Sequence, residues 1–132
     1  MTVLADQPRN RADVSANDVR DPWYRLSQLL DKESIIPLHD ADACGVIAAR
    51  GHVDGVAVVT YCTDATNRGG SLGAAEADRI IDAIELAARL RVPVIGVWHS
   101  GGAKLADGVE SMDGVGRMFA AMTRVSGRIP QI

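Results

Sequence analysis

The sequence predicts an α/β domain, and three observations lead to that prediction. Two apolar runs, residues 45–53 and 56–61, are joined by Asp54-Gly55, a dipeptide that strongly favours a two-residue hairpin turn. A long segment with apolar residues at helical spacing follows, and then a short apolar run of strand type at residues 94–98. Strands that alternate with helices through short loops are typical of α/β domains.

The first elements are predicted from local signals. Asp21-Pro22 indicates a helix start, with Asp21 as the N-cap and Pro22 in the first helical position. We expect this helix to end near Asp31-Lys32, and residues 35–38 to form a short extended piece. Residues 56–59 are apolar on both faces, which predicts a strand that is covered on both sides.

Two longer helices are predicted from apolar residues three and four positions apart. The first spans residues 74–91, and its expected buried face is Ala77, Ile80, Ile81, Ile84, Ala87 and Ala88. Its expected solvent face is Glu76, Asp78, Arg79, Asp82, Glu85 and Arg89. The second begins between residues 106 and 109 and ends at Ser126-Gly127. Its expected buried face is Val115, Met118, Phe119, Met122 and Val125. Residues 129–132 are typical of the entry to a further strand.

Composition excludes several functional classes. The net charge of -3 argues against a broad nucleic-acid surface, which needs a basic balance. No apolar run approaches the roughly 20 residues that span a bilayer. Residues 1–20 show no periodicity and no apolar core of a secretory signal, so we expect a flexible leader and a cytoplasmic protein. Cys44 and Cys62 have no metal-ligand spacing, and we expect two reduced thiols that pack as small apolar residues.

Two glycine-rich segments are the candidate binding elements. Residues 69–73 read Gly-Gly-Ser-Leu-Gly and precede a helix, and residues 100–103 read Ser-Gly-Gly-Ala and follow the strand at 94–98. Ligands of open α/β sheets bind beyond the carboxyl ends of strands, where glycines allow close approach to main-chain N–H groups. A tight turn without a ligand explains residues 100–103 as well as a binding site does. A loop without a ligand explains residues 69–73 better, because that segment is neither a GxGxxG motif nor a P-loop.

Serine and histidine side chains are candidates for nucleophilic chemistry. The candidate nucleophiles are Ser71, Ser100 and Ser111, and the candidate bases are His39, His52 and His99. The segments around Ser100 and Ser111 lack the G-x-S-x-G pattern of serine hydrolases, whereas residues 69–73 match its letters around Ser71 within a loop. The carboxylates at residues 107, 110 and 113 complement the positive end of a helix dipole, so a structural role explains them.

Several motifs in order resemble the biotin-dependent acyl-CoA carboxylase β subunits, the carboxyltransferases of acetyl-CoA and propionyl-CoA carboxylases. The matching segments are residues 21–26, 62–64, 69–73, 93–96, 100–108 and 126–132. The resemblance covers residues 21–132. It implies an α/β, crotonase-like fold of ββα units that is incomplete, with residues 21–132 as the N-terminal part of a carboxyltransferase N-domain.

The resemblance implies transfer of a carboxyl group from carboxybiotin to the α-carbon of a short acyl-CoA, such as propionyl-CoA or acetyl-CoA. The residues it assigns to acyl-CoA binding are Gly69, Gly70, Ser71, Leu72, Gly101, Gly102, Ala103 and Lys104. It assigns no certain catalytic residue to this chain. The family usually has arginine at position 104, and lysine keeps the charge but loses the bidentate fork.

The implied cofactor is biotin carried on a partner protein, with coenzyme A as part of the substrate and no metal. The implied partners are a biotin carboxylase or biotin carrier subunit and further β-subunit chains or a complementing chain, with no nucleic acid and no membrane. Family members are several times longer, so we expect the chain alone to be inactive. The alternatives are a truncated non-catalytic module that binds CoA or a partner, and a crotonase-type hydrolase or Clp-like serine peptidase.

Overall fold

A mixed sheet forms the centre of this fold, seen in a computed structural model that describes residues 18–99, 102 and 108–132. The strands of the described residues lie in the order β1-β2-β3-β4. They are β1 (Ile36–Pro37), β2 (Val46–Val53), β3 (Val56–Thr63) and β4 (Val94–Val97). The helices are α1 (Pro22–Leu29), α2 (Ala74–Leu90) and α3 (Val109–Val125), and a 3₁₀ turn spans Arg68–Gly70. Residues 1–17 of the predicted leader lie outside the described residues.

The β2–β3 hairpin confirms the prediction from Asp54-Gly55. The strands pair antiparallel with Val53 opposite Val56. Asp54 and Gly55 have φ angles of 52° and 82°, and a type I′ turn requires positive φ at both central positions. The Asp31 carboxylate accepts hydrogen bonds from both turn N–H groups, each at 2.8 Å. Both bonds lower the pKa of Asp31, and the bond from the Gly55 N–H has the larger effect.

Helices cover both faces of the sheet. α2 and α3 pack on one face over a core that includes Val59, Ile80 and Met118. α1 packs on the other face, where Leu26 and Leu30 meet Cys62. The strand at residues 56–59 is covered on both sides only in part, because Val56 and Ala57 are exposed and burial begins at Val58.

β4 pairs parallel with β3, and α2 connects the two strands. The register places Val59 opposite Val94 and Cys62 opposite Val97. The predicted strand entry at 129–132 is confirmed as a parallel bridge between Val94 and Gln131. The sheet therefore extends past β4 through a segment with the same direction as β3 and β4.

α1 begins as predicted and ends slightly earlier. The Asp21 carboxylate accepts a hydrogen bond from the Tyr24 N–H at 2.8 Å, which makes Asp21 the N-cap. The helix stops at Leu29, before the predicted end at 31–32, because Leu30 is extended and packs beside Gly51 of β2. Asp31 is then free of the helix and binds the hairpin turn.

The predicted faces of α2 and α3 are wrong at Glu76 and Phe119, and Arg79 of the predicted solvent face is only 15% exposed at its side chain. Glu76 was expected on the solvent face of α2 and is buried, with 2% of its surface exposed. Phe119 was expected on the buried face of α3 and is 58% exposed. α3 contacts α2 through Gly114, where a Cβ atom would lie 3.0 Å from the Ala77 Cβ. This crossing turns the small residues of α3 towards α2 and Phe119 away from it.

The two cysteines are free thiols, as predicted. Cys62 is buried in the core, and burial raises its pKa to about 12. Cys44 is partly buried, and burial raises its pKa as well. In the described ranges, every helix is too short or too polar to cross a membrane.

Candidate functional site

Two parallel strands end side by side at one edge of the sheet, here called the carboxyl edge and defined by Thr63 of β3 and Val97 of β4. One loop leads from Thr63 to α2, and the other leads from Val97 to α3. The Thr63 hydroxyl accepts a hydrogen bond from the His99 N–H at 2.6 Å and donates to the His99 carbonyl at 3.0 Å. Crevices beyond the carboxyl ends of strands are the usual ligand sites of open α/β sheets.

Leu72 joins the two loops through its main chain. Its N–H donates to the carbonyl of Gly102 at 2.8 Å. Its carbonyl accepts from the Ser111 hydroxyl, also at 2.8 Å, and Ser111 lies fully buried in the first turn of α3. We call these two hydrogen bonds the Leu72 clasp. The clasp holds Leu72 of the first glycine-rich segment beside Gly102 of the second at the carboxyl edge.

Glu76 fixes the start of α2. One carboxylate oxygen accepts from the Gly73 N–H at 2.9 Å, and the other accepts from the Gly45 N–H at 2.8 Å. The bond to Gly73 satisfies an N–H at the helix start, and the bond to Gly45 joins the helix to the chain entering β2. The sequence held a signal for this role, because a glutamate three residues after an N-cap is half of a capping box.

Three main-chain N–H groups of the first glycine-rich loop have partners within the protein. The Gly70 N–H donates to Asn67, the Leu72 N–H to Gly102 and the Gly73 N–H to Glu76. A phosphate-binding nest needs such groups directed at the ligand. The loop is therefore shaped by its own hydrogen bonds, and these three N–H groups are not presented to an anion.

The carboxyl edge is open above two glycines. Gly69 and Gly102 have φ angles of 64° and 96°, which side-chain-bearing residues rarely adopt. A Cβ atom built on either residue meets no atom within 4 Å. The backbone at these two positions is therefore bare and accessible, which allows a ligand to lie directly against it.

The predicted binding residues fall into two groups. Five of them, Gly69, Gly70, Ser71, Leu72 and Gly102, are described, and all five are at the carboxyl edge. Gly70 and Leu72 are buried, whereas Gly69 and Gly102 are exposed and Ser71 is half-buried. Gly101, Ala103 and Lys104 lie outside the described residues.

The serine and histidine candidates do not form a described nucleophile–base pair at this edge. The Ser111 hydroxyl donates to a main-chain carbonyl, which is a structural role. His52 lies next to the hairpin turn, at the opposite end of β2 from the carboxyl edge. His39 has its Nε2 buried without a hydrogen-bond partner among the described residues, and burial lowers its pKa. Ser100 lies outside the described residues.

A cavity of about 380 Å³ lies between the start of α1, β1 and the segment entering β2. Its wall includes Asp64, the residue that follows β3, and an Arg79–Asp42 ion pair with an N···O distance of 2.7 Å. The bond to Asp42 is the main cause of the raised pKa of Arg79. In the described part of the chain, no three His, Cys, Asp or Glu side chains are grouped to hold a metal ion.

Comparison with known proteins identifies the family. The carboxyl transferase domain matches residues 20–132, and the chain belongs to that family. The propionyl-CoA carboxylase beta chain of Rhodococcus erythropolis is 46% identical over 132 residues, which are 100% of this chain and 27% of that protein. The chain thus spans about a quarter of the length of that relative.

Solved structures agree with the family and confirm the predicted crotonase-like α/β fold. Transcarboxylase 12S, with methylmalonyl-coenzyme A and methylmalonic acid bound, superposes with a TM-score of 0.79 and 29% identity. The match covers 84% of this chain and 25% of that chain. A Pseudomonas malonate decarboxylase heterodimer superposes with a TM-score of 0.76 and 28% identity, over 84% of this chain and 50% of that chain.

Proposed function

We propose that this chain supplies part of the acyl-CoA-binding surface of a biotin-dependent carboxyltransferase. The enzyme transfers a carboxyl group from carboxybiotin to the α-carbon of a short acyl-CoA, such as propionyl-CoA or acetyl-CoA. The observation that supports this function is the Leu72 clasp, which holds the first glycine-rich loop beside Gly102 at an open carboxyl edge. The family and the 46% identity to a propionyl-CoA carboxylase beta chain agree with it.

The geometry favours contacts with the thin parts of an acyl-CoA. The bare backbone at Gly69 and Gly102 accommodates a flat adenine or an extended pantetheine, because no side chain stands between ligand and main chain. The partnered N–H groups of the first loop argue against phosphate binding there. We assign the phosphate contact to Lys104, a cation in the second glycine-rich segment.

Biotin supplies the carboxyl group when it is carried to the site on a partner protein. We assign no described residue to biotin, and the groups of this chain act on the acceptor, the acyl-CoA. The proposed partners are a biotin carboxylase or biotin carrier subunit and further β-subunit chains. Transcarboxylase 12S is described as a hexamer and as a multienzyme core, which supports such an assembly. We further propose a cytoplasmic location, with residues 21–132 as the N-terminal part of a carboxyltransferase N-domain that follows a leader at 1–20.

Titration of the full chain with CoA and propionyl-CoA, followed by thermal unfolding, tests this function. A ligand at 100 times its Kd stabilises the folded state by about 2.7 kcal/mol, which raises the Tm by several degrees. Adenosine at the same concentration controls for weak binding of the base alone. The absence of any shift with CoA or propionyl-CoA contradicts the proposal.

Two variants locate the site. Gly69→Ala places a methyl group in the open space at the carboxyl edge, and we expect it to weaken CoA binding several-fold. Gly127→Ala is the matched control, because Gly127 also has a positive φ of 83° and a Cβ there also meets no atom within 4 Å, but it lies after α3. We expect this chain alone to bind propionyl-CoA without transferring a carboxyl group to it from carboxybiotin. Equal CoA affinity in both variants argues against the edge as the site.

A further inference from the structure

We infer that Ser111 is a positioning residue that holds the first glycine-rich loop in the position relative to Gly102 that acyl-CoA binding needs. This inference rests on the proposed function. Ser111 is fully buried in the first turn of α3, outside both glycine-rich segments. Its hydroxyl reaches the Leu72 carbonyl at 2.8 Å, across 39 positions of sequence.

The position of Leu72 depends on groups from two other segments. The Leu72 N–H is bonded to Gly102 in the second loop, and its carbonyl is bonded to Ser111 in α3. Leu72 itself is buried, so water does not readily replace either partner. A shift of Leu72 moves Ser71 and Gly70, which precede it, relative to Gly102. Both hydrogen bonds therefore contribute to the position of the first loop relative to Gly102.

The packing of α3 against α2 fixes the position of Ser111. One turn after Ser111, α3 touches α2 at Gly114, where the helices approach closely over Ala77. Gly73, the residue after Leu72, is the N-cap of α2, and its N–H donates to the Glu76 carboxylate. Ser111 thus connects the first loop to two packed helices. We expect its removal to change the position of the loop more than the stability of the core.

Amide hydrogen exchange measured by NMR on the full chain tests the positioning role directly. In Ser111→Ala we expect the Leu72 N–H to exchange on the order of tenfold faster, because the Leu72–Gly73 peptide loses the partner of its carbonyl and Leu72 can then move away from Gly102. The Val59 N–H, which donates to Pro93 in the central sheet, reports global unfolding and should change much less. Equal acceleration at Leu72 and Val59 overturns the inference, because it shows a general loss of stability.

A matched control lies in the same helix. The Thr123 hydroxyl donates to the Phe119 carbonyl at 2.9 Å on the exposed side of α3, so Thr123→Ala removes a similar bond away from the loops. We expect Thr123→Ala to leave both the Leu72 exchange rate and the Kd for CoA unchanged. Ser111→Ala should weaken CoA binding roughly five- to tenfold.

The outcomes separate this inference from the proposed function. If wild-type chain binds no CoA, the proposed function fails, and the Leu72 exchange rate still decides whether Ser111 positions the loop. If wild type and Ser111→Ala bind CoA equally, the positioning role fails while the function stands. Should Ser111→Ala not fold, the wild-type Ser111 hydroxyl proton is the second measurement: a slowly exchanging signal close to Leu72 supports the inference, and rapid exchange with water overturns it.

Discussion

Glu76→Gln tests the claim that a buried carboxylate organises the start of α2. The carboxylate accepts two main-chain hydrogen bonds, at 2.8 Å and 2.9 Å, and only 2% of the residue is exposed. An amide has one acceptor oxygen, so its NH₂ group must face either the Gly45 or the Gly73 N–H. Loss of one charge-assisted bond together with an unsatisfied N–H costs about 2–4 kcal/mol.

The measurement is equilibrium unfolding in urea, followed by tryptophan fluorescence. Glu85→Gln is the control on the same helix, because Glu85 is 46% exposed at its side chain and forms a surface pair with Arg124. Solvent screens such a pair, so its loss costs about 1 kcal/mol at most. The slope of the unfolding free energy with urea should stay constant for both variants. Equal midpoints for the two variants would refute the role given to Glu76.

The remaining predictions concern the sheet, α3 and the hairpin. Gly96→Ala places a Cβ atom 2.5 Å from the Tyr61 ring and 2.7 Å from the Trp98 indole nitrogen, and we expect a loss of about 1–3 kcal/mol in urea unfolding. Gly116→Ala, in open space within α3, should instead raise stability by up to about 1 kcal/mol, and a loss there would contradict the helix assignment. Asp31→Asn should unfold at lower urea than wild type at pH 7. The pKa of Asp31 in the folded state lies below its ordinary value of 3.8. The carboxylate therefore contributes fully to the free energy of unfolding above pH 3.8, and this contribution is lost as the pH falls through the pKa of the folded state. A difference that persists unchanged at pH 2 would argue against the carboxylate as the acceptor.

The hairpin and the helix starts could be predicted because their signals are local. Asp54-Gly55 and Asp21-Pro22 each specify a backbone geometry within a few residues, and the structure shows both geometries. The carboxyl edge could also be predicted, because a glycine-rich segment follows each of two strands. The Leu72 clasp could not, since its partners lie in distant segments and bind through a main-chain carbonyl and a hydroxyl.

The burial of two helix residues, Phe119 and Glu76, was predicted wrongly, because the burial of each depends on contacts with other segments. Spacing on α3 predicts a buried Phe119, but the sequence does not show that Gly114 sets the crossing with α2. A second apolar stripe, which contains Met112 and Phe119, is therefore exposed. Glu76 was assigned to solvent by its charge, although two main-chain donors at fixed distances stabilise the carboxylate in the interior.

The paired bonds between the Thr63 hydroxyl and the main chain of His99 determine where the two strands separate. A hydroxyl that both accepts and donates substitutes for a peptide group, so β3 and β4 remain attached through a side chain after their regular ladder has ended. Both loops consequently diverge from one common point. Insertions farther along either loop would therefore change the length of that loop while leaving its starting point and the sheet beneath it in place.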